Sequence, residues 1–239
     1  MQAIDWERID LAVFDVDGTL YDAHRLRRAM LGRLLLDAAA RRSTRTLRIL
    51  RAFRNIREEL GDEQPTGFDE LQYTRTASQA GCTADEVRAL VSEWMEQRPL
   101  PLLAACRYPH IDRVFDALRA AGKQVAVLSD YPAVAKLAAL GLQAHPVVSA
   151  TDADISALKP NPAGLRAILE RTGVPASRAL MIGDRIDRDA AVAWQAGVQA
   201  LIRTRKPDAR VATFRRFDDP VFQPLLAPQA APGMQVLAG

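Results

Sequence analysis

The apolar run Leu11-Ala12-Val13-Phe14 breaks abruptly into Asp15-Val16-Asp17-Gly18-Thr19, which predicts a buried strand that opens at its carboxyl end into an acidic turn. Open α/β sheets place their chemistry at such strand ends. Over residues 22–106 the apolar positions recur at helical spacing without a convincing strand, with a break at 61–67 and a capped restart at Thr83-Ala84-Asp85-Glu86. Pro99, Pro101 and Pro109 mark a linker. Beyond it, predicted helices over 112–121, 133–140, 162–172 and 187–196 alternate with strands over 124–128, 146–149, 179–182 and 199–202. Single helices between strands imply right-handed crossovers and a parallel, doubly wound α/β sheet. The first strand belongs with the later ones, so the expected organisation is a split core of residues 1–20 and 108–205, a helical insertion over 21–107 that overhangs the first acidic turn, and a proline-spaced tail over 206–239.

Composition narrows the class. With 239 residues and 49% hydrophobic content the chain has enough apolar side chains for a sizeable core. No basic-then-apolar leader and no uninterrupted apolar stretch of membrane-spanning length is visible, which predicts a cytoplasmic protein without a membrane partner. Cys82 and Cys106 are too few and too far apart for a zinc knuckle, and His24, His110 and His145 have no ligand spacing.

The net charge of +3 is unevenly distributed: residues 21–60 hold eleven Arg against four acids, and residues 61–107 four Arg against eight. Arg42, Arg45, Arg48, Arg51, Arg54 and Arg57 recur every third residue, a spacing that walks around a helix. Ile49, Phe53, Ile56 and Leu60 form its apolar stripe, with Arg48, Arg51 and Arg54 opposite. An amphipathic helix with a solvated basic back follows, and a nucleic-acid surface is disfavoured because no aromatic residues interleave with the arginines.

Candidate chemistry gathers at the strand ends. Asp15 and Asp17 fall on one side of an extended chain, so they can share a cation or divide nucleophilic and acid/base roles. A Ca²⁺ loop of Asp-x-Asp type is excluded by Leu20 and Leu26 at the positions where it needs Gly and Glu. Val125-Ala126-Val127-Leu128 ends in Ser129-Asp130, Lys159 precedes a helix start, and Leu180-Met181-Ile182 ends in Gly183-Asp184, with Asp187 and Asp189 following. Clustered carboxylates without histidine suit a hard cation such as Mg²⁺.

This set, spanning roughly residues 10–203, resembles the haloacid dehalogenase-like superfamily, whose motifs stand here as Asp15 to Thr19, Ser129, Lys159, and Gly183-Asp184 with Asp189. The resemblance implies a Rossmann-like core with strand order 5-4-1-2-3 and a helical cap of the family's first cap class. It further implies Asp15 as a nucleophile attacking phosphorus and Asp17 as acid/base with its carbonyl on the metal. Asp15, Asp17 and Asp184 would be Mg²⁺ ligands, Ser129 and Lys159 phosphoryl anchors, and Asp189 a residue orienting Lys159 or a metal-bound water, with Asp187 competing for that role. Carbon-attacking dehalogenases of the family lack an acid at the position of Asp17, and phosphonate-cleaving members need a cap lysine, whereas residues 21–107 contain none. Two departures are Asp130, where the family often has Asn, and Pro109-His110, where it often has Pro-Gly.

The expected function is a Mg²⁺-dependent phosphatase acting on a small phosphorylated metabolite through an aspartyl phosphate. The alternatives are a phosphoryl transferase or phosphosugar mutase on the same fold, and a non-catalytic protein that binds through the arginine-rich helix. Asp130, Arg42 and Arg45 are candidates for contacting the substrate, the two arginines because they continue the apolar stripe at its amino-terminal end.

Overall fold

Residues 4–227 are described by a computed structural model. Its centre is a parallel sheet formed by β1 (Leu11–Phe14), β2 (Gln124–Ser129), β3 (Val147–Ser149), β4 (Ala179–Gly183), β5 (Gln199–Arg203) and β6 (Ala212–Phe214), in the order β3-β2-β1-β4-β5-β6. The strand order implied by the family resemblance therefore holds, with one further strand outside β5. Side chains along β1 alternate between two cores. Ala12 and Phe14 join Val114, Phe115, Leu118 and Leu137 on one face, and Leu11 and Val13 join Leu165, Ile168, Val192 and Ala193 on the other. Burial on both faces is why the strands read as continuous apolar runs.

The covering helices are α6 (Ile111–Ala120) and α7 (Val134–Leu140) on the first face, and α8 (Ala163–Thr172) and α9 (Ala191–Gln195) on the second. A π turn, Ile186–Ala190, replaces the first part of the helix expected over 187–196. Between β1 and β2 the chain is helical: α1 (Ala23–Arg41), α2 (Arg45–Glu63), α3 (Phe68–Ala80), α4 (Ala84–Val91) with a π segment to Gln97, and α5 (Leu100–Cys106). The expected restart at Thr83 is present, its hydroxyl accepting from the Glu86 amide. In α2 the stripe of Ile49, Phe53, Ile56 and Leu60 is buried. No helix among the described residues is long and apolar enough to cross a membrane.

Two segments punctuated by proline are structured. The segment read as a linker contains α5, because Pro101 sits in its first turn, where its missing amide donor leaves no hydrogen bond broken. The segment read as a tail does not stand apart from the fold as far as Ala227: it supplies β6 and α10 (Gln223–Leu226), and Phe214, Phe217, Phe222 and Leu225 are buried. Its three-residue strand and closely spaced prolines carry too few repeats for a period to register. Residues 228–239 of that tail lie outside the described residues.

Candidate active site

The carboxyl ends of β1, β2 and β4 open on one edge of the sheet, where the strand hydrogen bonds run out and side chains face a cleft of about 1260 Å³. Asp15 is the first residue beyond β1, its amide still donating to Ile182 O at 2.9 Å. Its carboxylate accepts from Thr19 Oγ1 at 2.8 Å and from Lys159 Nζ at 2.6 Å. The same ammonium lies 2.6 Å from Asp189 Oδ1, and Asp189 Oδ2 accepts the amides of Asp184 and Arg185 at 3.0 Å each. Asp15, Lys159 and Asp189 are all buried.

Gly18 adopts φ +100°, and a Cβ there would stand 2.1 Å from Asp184 Oδ2. The glycine thus serves both the turn and the close approach of β1's loop to β4's.

Asp15, Asp184 and Asp189 each offer an oxygen within 4.8 Å of the others. One ammonium stands among these three carboxylates, and the imbalance shows in their proton affinities. Burial pushes Asp15 well above the usual carboxylate range; Lys159 opposes the rise while Asp189 and Asp184 add to it. Asp184 is pushed up to about 7 by burial and by the charge of Asp189. Lys159 is held above its ordinary value, because Asp15, Asp189 and Asp130 outweigh its burial. Both oxygens of Asp189 are engaged, and those of Asp15 accept from Thr19 and Lys159, so among the described residues Asp184 is the carboxylate of the three without a hydrogen-bond donor; a hard divalent cation between Asp184 and Asp15 would cancel the excess negative charge.

Asp17 has a different environment. Lys136 Nζ, from α7, lies 2.7 and 2.6 Å from its two oxygens, and the Tyr21 hydroxyl donates to it as well. Burial would raise this carboxyl, but Lys136 and Tyr21 together hold it below the usual range.

Ser129 is buried beneath the cleft and accepts the Tyr131 amide at 3.2 Å. Asp130 faces the cleft and accepts the Lys159 amide at 3.0 Å, so its charge is directed at the lysine loop. Asp187 is exposed and pairs with Arg185 at 2.7 Å, away from Lys159.

Arg42 and Arg45 do not reach the cleft. Arg42 is an exposed cap of α1, and Arg45 pairs with Glu86 at 2.8 Å on the surface. The insertion instead meets the sheet edge through the carboxyl-terminal half of α2. Arg57 is buried there, donating to Gln72 Oε1 at 2.9 Å and to the Asp130 carbonyl, with its guanidinium 4.1 Å over the Tyr131 ring. Glu58 pairs with Arg185 at 2.9 Å, and Arg188 reaches Asp62 at 2.7 Å and Lys159 O at 3.4 Å.

Lys136 and Tyr21 escaped the reading of the sequence, which placed Arg57 only in the arginine series of α2. A signal for the first was visible: of 32 basic residues only four are lysines, and two of those four stand here, where a compact ammonium can sit between carboxylate oxygens.

Fold, cleft and motif residues agree with a match of residues 9–197 to the model of haloacid dehalogenase-like hydrolases, and the chain belongs to that family. Among curated proteins it is similar to a phosphoglycolate phosphatase of Rhodospirillum rubrum, 36% identical over 151 residues that cover 60% of this chain and 61% of the relative. That match leaves more than a third of the relative's length unaligned. A glyceraldehyde 3-phosphate phosphatase of Methanopyrus kandleri is 26% identical over 220 residues, 88% of this chain and 90% of the relative. Among solved structures, a 2-haloacid dehalogenase of Pseudomonas syringae superposes with a TM-score of 0.63 at 25% identity, covering 93% of this chain and 100% of that one.

Proposed function

We propose that the chain is a Mg²⁺-dependent phosphatase that hydrolyses a small phosphomonoester in the cytoplasm through an aspartyl-phosphate intermediate. The observation that carries this reading is the buried Lys159 ammonium held 2.6 Å from both Asp15 and Asp189, with Asp184 alongside: a nucleophile, a cation for an anionic substrate and a cluster of carboxylates that could hold a metal on one edge. Both curated relatives are phosphatases, which supports a phosphorylated metabolite as substrate. The solved dehalogenase raises attack on carbon as the competitor, and Asp17 favours phosphorus, since only an oxygen leaving group calls for an acid there.

In this mechanism a carboxylate oxygen of Asp15 forms the bond to phosphorus while the ester oxygen leaves with a proton from Asp17. Asp17, now a carboxylate, takes a proton from water as that water attacks the phosphoaspartate, which frees Asp15 and releases phosphate. Lys159 and Ser129 hold the phosphoryl oxygens, and Thr19 fixes the Asp15 rotamer through its hydrogen bond. Asp15, Asp184 and the backbone carbonyl of Asp17 would hold the cation, which would supply Lewis-acid stabilisation of the phosphoryl charge. With Lys136 on both oxygens Asp17 sits as the base, and donating a proton to the leaving group requires that pair to loosen. Residues 1–20 and 108–205, extended by β6 and α10, act as the core and residues 21–107 as a cap, joined over the site by Arg57, Glu58 and Arg188.

Phosphate release from an aryl phosphate tests the reading. Wild type is expected to be active with Mg²⁺ and silent after chelation. Asp15→Asn is expected to lose at least ~10³-fold in turnover with the fold intact. Near-normal turnover by the variant would sink the assignment.

A further inference from the structure

Arginines line the cleft in two distinct states. Arg57, Arg185 and Arg188 are committed to carboxylates or carbonyls of the protein. Arg203, the last residue of β5, is not. Its guanidinium lies 3.6 Å over the Tyr108 ring, its Nε is buried without a hydrogen-bond partner, and among the described residues no carboxylate pairs with it. Asp22 senses its charge, but that carboxylate accepts the amides of His24 and Arg25 at 2.9 Å each. Arg28, Arg54 and Arg205 line the same cleft as exposed side chains; they make its mouth positive without a fixed geometry.

An arginine that rests over a ring and is left without a carboxylate partner is arranged for a planar or tetrahedral oxyanion. Its fork is ordered before the ligand arrives, so little side-chain freedom is lost on binding. The phosphoryl group of the substrate is already provided for at Lys159, so the anion for Arg203 is a different one. We infer that Arg203, on its Tyr108 platform, anchors a second oxyanion carried by the substrate, which makes that substrate a small phosphomonoester bearing a further carboxylate or phosphate. The inference rests on the phosphatase reading and moves the selection of substrate from the insertion to a strand of the sheet.

Calorimetric titration of the full chain in Mg²⁺ tests it with ligands that are not hydrolysed. Methylphosphonate offers one anion. Phosphonoacetate, 3-phosphonopropionate and 4-phosphonobutyrate add a carboxylate at increasing reach, and 1,3-propanediphosphonate adds a second phosphonate. At least one two-anion ligand is expected to bind wild type about tenfold or more tightly than methylphosphonate, and the arm that wins identifies the second group. In Arg203→Gln that ratio is expected to fall to near one, and in Arg203→Lys to an intermediate value. Tyr108→Leu, which removes the platform and keeps the cation, is expected to lower it as well and serves as the test if Arg203→Gln does not fold. Equal binding of one-anion and two-anion ligands by wild type, or an unchanged ratio in Arg203→Gln, overturns the inference while leaving the phosphatase reading standing. A wild type that binds none of the ligands overturns both.

Discussion

Two halves of the site each set a lysine against an aspartate of the first motif, and they reach opposite electrostatic outcomes. On the β4 side, Lys159 is divided between Asp15 and Asp189 within reach of Asp184, and Asp15 is pushed well up. On the α7 side, Lys136 serves Asp17 alone with help from Tyr21, and Asp17 is pulled down. The two carboxylates are separated by a single residue and share one turn, so local sequence does not cause the difference. What differs is the number of neighbours competing for one ammonium. A half with excess negative charge is prepared for a cation and an anionic substrate, whereas the balanced half is already complete.

Removing each lysine separates the halves most strongly. Lys159→Met leaves Asp15 and Asp189 buried without a counter-charge, so it is expected to cost ~3–5 kcal/mol of stability and at least ~10³-fold in turnover. Lys136→Met strips a partly exposed pair and is expected to cost under about 1 kcal/mol, with a rate loss of roughly 10–100-fold. Chemical denaturation and phosphate-release kinetics on both variants check this, and equal losses would erase the distinction between the halves.

Next in size is an effect of the excess charge itself. Asp184 is raised to about 7 from an ordinary 3.8, so the folded state holds a proton that the unfolded chain has released, and stability without metal falls as pH rises through that interval. At pH 8 in chelator, Asp184→Asn is therefore expected to melt at least ~3 °C above wild type, and to respond less than wild type to added Mg²⁺. A lower melting temperature would show that the half carries no excess charge.

The smallest effect lies at the α2 contact. Arg185 and Arg188 outweigh burial at Glu58 and hold it below its ordinary 4.5, so its contribution is present above that value and is lost as pH falls through the lower folded value. Glu58→Gln is expected to flatten the acid side of the melting-temperature profile by about a degree or two. An unchanged profile would detach this contact from the balance around Lys159.

Much of this was legible in the sequence because it is periodic or punctuated. The run at β1, the apolar strands ending in Ser129 and Gly183, and the stripe on α2 all follow from spacing. What spacing does not give is distance along an element. Arg45 and Arg57 flank the stripe on opposite sides, about 120° apart around the helix, and they stand about 18 Å apart along its axis. The first meets Glu86 on the surface, and the second meets the Asp130 carbonyl at the sheet edge. Lys136 and Arg203 were hidden for a related reason: each acquires its partner only when α7 or β5 is set beside another element.

The family match ends at residue 197, before β5 and β6, yet the chain continues to build. β6 takes up the outer hydrogen bonds of β5, while Trp6, whose Nε1 donates to Val221 O at 2.6 Å, joins the rings of Phe214, Phe217 and Phe222. A chain cut at Arg205 would present Leu201 and Ile202 on an open sheet edge beside uncovered rings, a ready template for strand addition between copies. The segment that looked least like structure thus moves the edge of the sheet outward to a three-residue strand and covers the rings beside it.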